Sequence, residues 1–160
     1  MQRKGALMFS GGAGCLLLVA LAVSRPPANP HIDPAARLQA KIEVPSQVDR
    51  ILRKACFDCH SSQTRWPWYS QLPPALWMVL RDVEKARSAM NFSDWPDPLG
   101  KANRASGLLL AVCAVLRAER MPPARYLALH PEARLSAAEV DTICSWSQTQ
   151  AAHIASLRQK

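Results

Sequence analysis

Apolar and polar positions change their rhythm along this chain, and each rhythm predicts a different element. Residues 5–24, GALMFSGGAGCLLLVALAVS, carry no charge over 20 positions, the length of a helix able to cross a ~30 Å hydrocarbon layer. Residues 26–45 are interrupted by Pro26, Pro27, Pro30, Pro34 and Pro45 and show no regular period, so they read as an extended spacer. Residues 46–160 take on the period of amphipathic helices. Val48, Ile51, Leu52 and Ala55 predict a first helix that opens at Ser46 and runs into Cys56. Leu76, Leu80, Val83 and Met90 predict a second from Pro73-Pro74, with Arg81, Asp82, Glu84 and Lys85 largely toward water. Leu108, Leu109, Val112, Val115 and Leu116 predict a third between Gly100 and Arg120, stopped by Pro122-Pro123. Ser136-Ala137-Ala138-Glu139 is a capping box that opens a fourth, whose stripe runs through Val140, Ile143, Cys144, Ala151 and Ile154.

Composition strengthens the helical reading: the stretches between prolines are rich in Ala, Leu, Arg and Glu, so the fold class is all-α. A 49% hydrophobic, 20% charged balance is that of a folded domain, and 160 residues hold one domain and an appendage. Of the +8 formal charge, Arg3, Lys4 and Arg25 flank the first apolar run, which leaves +5 scattered over residues 26–160. No basic stripe alternates with aromatic residues, which argues against nucleic acid as a partner. By the positive-inside tendency Arg3 and Lys4 stay cytoplasmic and the rest lies outside a bacterial inner membrane. Residues 1–25 are then a signal anchor, held in the inner membrane through residues 5–24. Alternatively they are a signal peptide cut after Ala20-Leu21-Ala22 or Ala22-Val23-Ser24, which would release a periplasmic domain. Cys15 reads as a small apolar residue of that segment, since the apolar run follows it.

The chemistry concentrates in Cys56-Phe57-Asp58-Cys59-His60, the attachment pattern of c-type haem. Two thiols three residues apart reach the two vinyl groups on one edge of the ring, and the adjacent histidine falls beneath the iron. A zinc site would need a second close pair of ligands, which His130, Cys113 and Cys144 do not offer. A thioredoxin-like pair would need a βαβ setting that the helical pattern lacks, while a plain Cys56–Cys59 disulfide stays open. Met121, 61 residues after His60 in Arg120-Met121-Pro122-Pro123, is the candidate sixth ligand on a proline-stiffened loop. The alternative for Met121 is a core methionine, which Met78 and Met90 fit better. His130 reads as a loop histidine, next in line as ligand should Met121 not serve. Trp66, Trp68, Tyr69, Trp77 and Trp95 offer flat apolar cover for a porphyrin, with Trp77 also readable as core. Arg65 and Trp66 are the candidate haem contacts through a propionate. Cys113 and Cys144 both fall on apolar stripes, so they form either a disulfide or a pair of buried, unlinked side chains.

The run Cys56-x-x-Cys59-His60-Ser61-x-x-Thr64-Arg65-Trp66-Pro67-Trp68-Tyr69-Ser70 is followed by Asn91-Phe92-Ser93-x-Trp95, Met121-Pro122-Pro123 and Leu129-His130-Pro131-Glu132-Ala133-Arg134-Leu135-Ser136. In that order, over roughly residues 46–150, these motifs resemble the bacterial haem-binding domain family related to class I cytochromes c. The resemblance implies a cytochrome-c-like helical domain around one covalent haem c, exported or membrane-tethered, with His60 and Met121 at the axial positions. A His/Met iron passes single electrons to a redox partner protein. A haem enzyme or a gas or redox sensor would instead need Met121 off the iron or easily displaced. A dihaem peroxidase is disfavoured by the single Cys-x-x-Cys-His, and no paired carboxylates name a catalytic acid or base.

Overall fold

A computed structural model of the chain describes residues 25–100 and 103–159, and the described residues contain helices and turns without a strand. Most of the segment expected to be an anchor or signal, including residues 5–24 and Cys15, lies outside them. Among the described residues no helix is long and apolar enough to cross a membrane.

Seven α-helices follow in order: α1 (Leu38–Lys41), α2 (Ser46–Ala55), α3 (Phe57–His60), α4 (Pro73–Ala89), α5 (Arg104–Arg117), α6 (Ala124–Leu127) and α7 (Ala137–Leu157). The longest packed pair is α5 against α7, with Leu109, Val112 and Leu116 of one and Ile143, Trp146 and Ile154 of the other in a shared core. Cys113 and Cys144 are joined there by a disulfide with Cα atoms 4.7 Å apart, and Ser106 Oγ donates to the Ala151 carbonyl at 3.0 Å nearby. The α7 start carries the expected capping box. Ser136 Oγ accepts from Glu139 N–H at 3.2 Å, and the Glu139 carboxylate accepts from Ser136 N–H at 2.8 Å. That carboxylate also takes Lys54 Nζ of α2 at 2.8 Å, so one side chain ends a helix and ties it to another.

Two expectations differ from what is seen. Residues 26–45 were expected as an extended spacer, yet their second half is a packed arm. Leu38 is fully buried, its N–H donates to the Phe92 carbonyl at 2.9 Å, and Trp146 Nε1 donates to the Glu43 carbonyl at 2.9 Å. A one-turn helix bounded by prolines carries too few residues to show a period, which is why the pattern gave no sign of it. Trp77, readable as core, is 70% exposed. Only Leu76 and Val83 of α4 are buried, so its inner stripe is narrower than the run of apolar residues suggests.

Candidate haem-binding site

Helix α2 buries Val48, Ile51 and Leu52 and ends where Cys56 N–H reaches the Leu52 carbonyl. The chain then turns directly into α3, with Cys59 and His60 N–H both on the Cys56 carbonyl. One turn of helix therefore holds both thiols and the histidine on a fixed frame. Neither thiol is in a disulfide, although the Cys113–Cys144 pair is. Burial pushes the Cys56 thiol up to about 12, aided by Cys59, and that of Cys59 up to about 11, aided by the charges of Asp58 and Asp82, so both are held as neutral thiols.

His60 is oriented by the segment after α4. Its Nδ1 lies 3.1 Å from the Met90 carbonyl oxygen. A carbonyl can only accept, so Nδ1 carries the proton and Nε2 keeps its lone pair. Burial lowers the His60 pKa, against the raising pull of the Met90 and Ala86 carbonyls, and favours the neutral, metal-ligating ring. The Asn91-Phe92-Ser93-x-Trp95 motif forms the floor beneath it. Phe92 N–H donates to the His60 carbonyl at 2.8 Å, Ser93 Oγ accepts from Ser62 N–H at 3.0 Å, and Asn91 Oδ1 holds Ser93 N–H at 2.9 Å. Phe57, Phe92 and Trp95 stack in a column, with His60 edge-on to Phe92. Trp95 is thus a core residue at the base of the site. Arg87, which the sequence pattern left unremarked, donates to the Ser61 carbonyl and to Thr64 Oγ1 and so closes the loop after His60.

Asp58, between the two thiols, is a hub. Its carboxylate accepts from Arg65 N–H at 3.3 Å, Arg65 Nε at 3.2 Å and Tyr126 hydroxyl at 3.0 Å. Arg65, expected at a propionate, is mainly spent on Asp58, and that bond raises its pKa. Trp66, its neighbour, has a buried indole N–H without a hydrogen-bond partner, as do Trp95 Nε1 and Arg37 Nε. Unpaired buried donors are costly, and that of Trp66, beside the Arg65 that binds Asp58 of the motif, fits a ligand that brings an acceptor of its own, such as a porphyrin carboxylate. The sequence pattern had named Trp66 for this role.

Met121 follows α5. Glu119 takes a left-handed φ of 53° and Arg120 N–H returns to the Val115 carbonyl at 2.9 Å, which ends the helix and turns the chain before the methionine. Met121 is 39% exposed, unlike a core residue. His130 donates from Nδ1 to Glu132 Oε1 at 3.1 Å, so its Nε2 accepts from the Tyr69 hydroxyl at 3.0 Å. Both ring nitrogens of the reserve ligand are therefore engaged.

A helical domain with a histidine held in one tautomer, two unpaired thiols on the same turn and a buried indole donor beside them has the make-up of a haem protein. The chain belongs to the haem-binding domain family, whose sequence model matches residues 15–149. No curated protein and no solved structure matches it.

Proposed function

We propose that the chain is a single-haem c-type cytochrome that transfers single electrons outside a bacterial inner membrane. Cys56 and Cys59 would hold the haem covalently, and His60 Nε2 and the Met121 thioether would be its axial ligands. The observation that carries the reading is the His60 Nδ1 bond to the Met90 carbonyl, which leaves Nε2 as the free ligand atom one residue from a thiol. Bound haem would supply a one-electron iron couple, and thioether ligation favours its ferrous form. The chain's own part is to hold the histidine in one tautomer, offer Met121 from a proline-stiffened turn, and present Trp66 Nε1 as a donor. With His60 and Met121 both holding the iron, the chain would leave no open site for a small molecule. That arrangement supports electron transfer over the enzyme or sensor reading. A redox partner protein completes the function, and residues 5–24 would tether the domain to the membrane or be removed to free it into the periplasm.

The test uses protein matured with the c-type assembly machinery. Haem should survive acid and denaturing electrophoresis, and Cys56→Ala or Cys59→Ala should weaken or abolish that staining. Met121→Ala should turn a low-spin spectrum high-spin, allow carbon monoxide to bind and lower the potential. Haem that dissolves out of the wild type would end the covalent reading, and an unchanged spectrum in Met121→Ala would take the methionine off the iron.

A further inference from the structure

The segment that follows Met121 is tied back to residues 58–82 at three points, one of them in the attachment motif. Arg125 Nη2 donates to Asp82 Oδ1 of α4 at 2.7 Å, and Tyr126 hydroxyl donates to Asp58 Oδ2 at 3.0 Å. His130 Nε2 accepts from Tyr69 at 3.0 Å, while its ring stacks on Tyr126 with centroids 4.3 Å apart. These partners are 43 to 68 residues apart in sequence, so none is imposed by local geometry. Of the three, the Asp58 bond reaches the residue between the two haem thiols. The Asp58 side chain is only 17% exposed, and Arg65 fixes it from its other side. Pro122 and Pro123 stiffen the short link from Met121 to α6, so restraint at Tyr126 is transmitted to the methionine and not lost in a floppy loop.

We propose that Tyr126 is a positioning residue for the sixth ligand. Its hydrogen bond to Asp58, backed by the His130–Tyr69 bond, straps the Met121 loop to the haem-attachment turn and sets how readily Met121 yields its place. This rests on the reading of Met121 as ligand. The strap has a direct consequence for function. A restrained thioether keeps the coordination unchanged between oxidation states and excludes exogenous ligands, so loosening the strap moves the protein from electron carrier toward ligand binder.

The experiment titrates the ferric holoprotein with imidazole and follows loss of the methionine-to-iron charge-transfer band. Tyr126→Phe keeps the ring stacked on His130 and removes only the hydroxyl. The band should then be lost at an about tenfold lower imidazole concentration, equivalent to ~1.4 kcal/mol of loop restraint. Arg117→Ala, which breaks the exposed Arg117–Asp141 pair between α5 and α7, should titrate like the wild type. Should Tyr126→Phe fail to mature with haem, Tyr69→Phe loosens the same strap through His130 and carries the test. Equal imidazole midpoints in wild type and variant would overturn the strap. A wild type without the band and with a spectrum unaltered by Met121→Ala would instead overturn the ligand assignment beneath it.

Discussion

Ser93 shows how the site is built from single polar atoms. Its Oγ accepts the Ser62 N–H at 3.0 Å, and both residues are buried, so the hydroxyl satisfies a backbone donor that water does not reach. Removing it leaves that N–H unpaired, and an unsatisfied buried donor costs ~1–3 kcal/mol. Ser93→Ala is therefore expected to lower the unfolding free energy by ~1–3 kcal/mol. Denaturant unfolding of the holoprotein checks it, and a midpoint equal to wild type would mean that the bond is not carried in solution. On the covalent reading the change should leave attachment intact, because Cys56 caps α3 and Cys59 lies within it, before this loop. His60 makes the complementary point. Its Cys-x-x-Cys-His setting announced a ligand, but the atom that fixes its tautomer is a backbone carbonyl, that of Met90, and every residue has one. No side-chain pattern can mark such a partner, and Asp58 was hidden for a similar reason, since it stands at one of the two unspecified positions of the motif.

Helices were legible where they are long and capped, and much less so where they are short. The capping box at Ser136, the proline pair opening α4 and the stripe of α5 all predicted elements close to those seen, because the same residues that start or stop a helix also bury one face of it. The one-turn helices α1, α3 and α6 owe their shape to neighbours and left no period to read. Between α5 and α7 the stripes brought Cys113 and Cys144 to one seam, and their Cα atoms lie within bridging distance at 4.7 Å. Facing stripes do not fix that distance, which is why the sequence held both the bridge and the unlinked pair open. The bond encloses the turn that carries Met121, so it limits how far that turn strays in the unfolded chain. Mass spectrometry of non-reduced, alkylated protein should find both thiols unavailable. Cys113→Ala/Cys144→Ala should cost ~2–4 kcal/mol by the loop-closure account. Two alkylated thiols at these positions would remove the bridge.

At the scale of the whole molecule, the N-terminal arm decides where the domain begins. Asn29 donates to the Thr64 carbonyl at 2.9 Å, beside the haem-motif loop, and Glu43 receives Trp146 of α7, so the arm spans from one part of the domain to the other. Between these ends Trp95 N–H donates to the Ala36 carbonyl at 2.7 Å and Leu38 fills the core with no exposure. The four residues between Ser24 and Asn29 can extend the chain over no more than about 18 Å. The arm also bears on stability, and a single substitution separates it from a spacer. Leu38→Ala should cost ~2–5 kcal/mol, as for a fully buried leucine, because the cavity opens in a core shared with Phe92 and Trp95. Leu110→Ala, on the exposed side of α5, should cost no more than ~0.5 kcal/mol. Denaturant unfolding of both variants beside the wild type reads the difference. If Leu38→Ala unfolds with Leu110→Ala, the arm is a tether after all and the domain starts at α2; if it falls by the larger amount, the folded unit reaches back to the thirties.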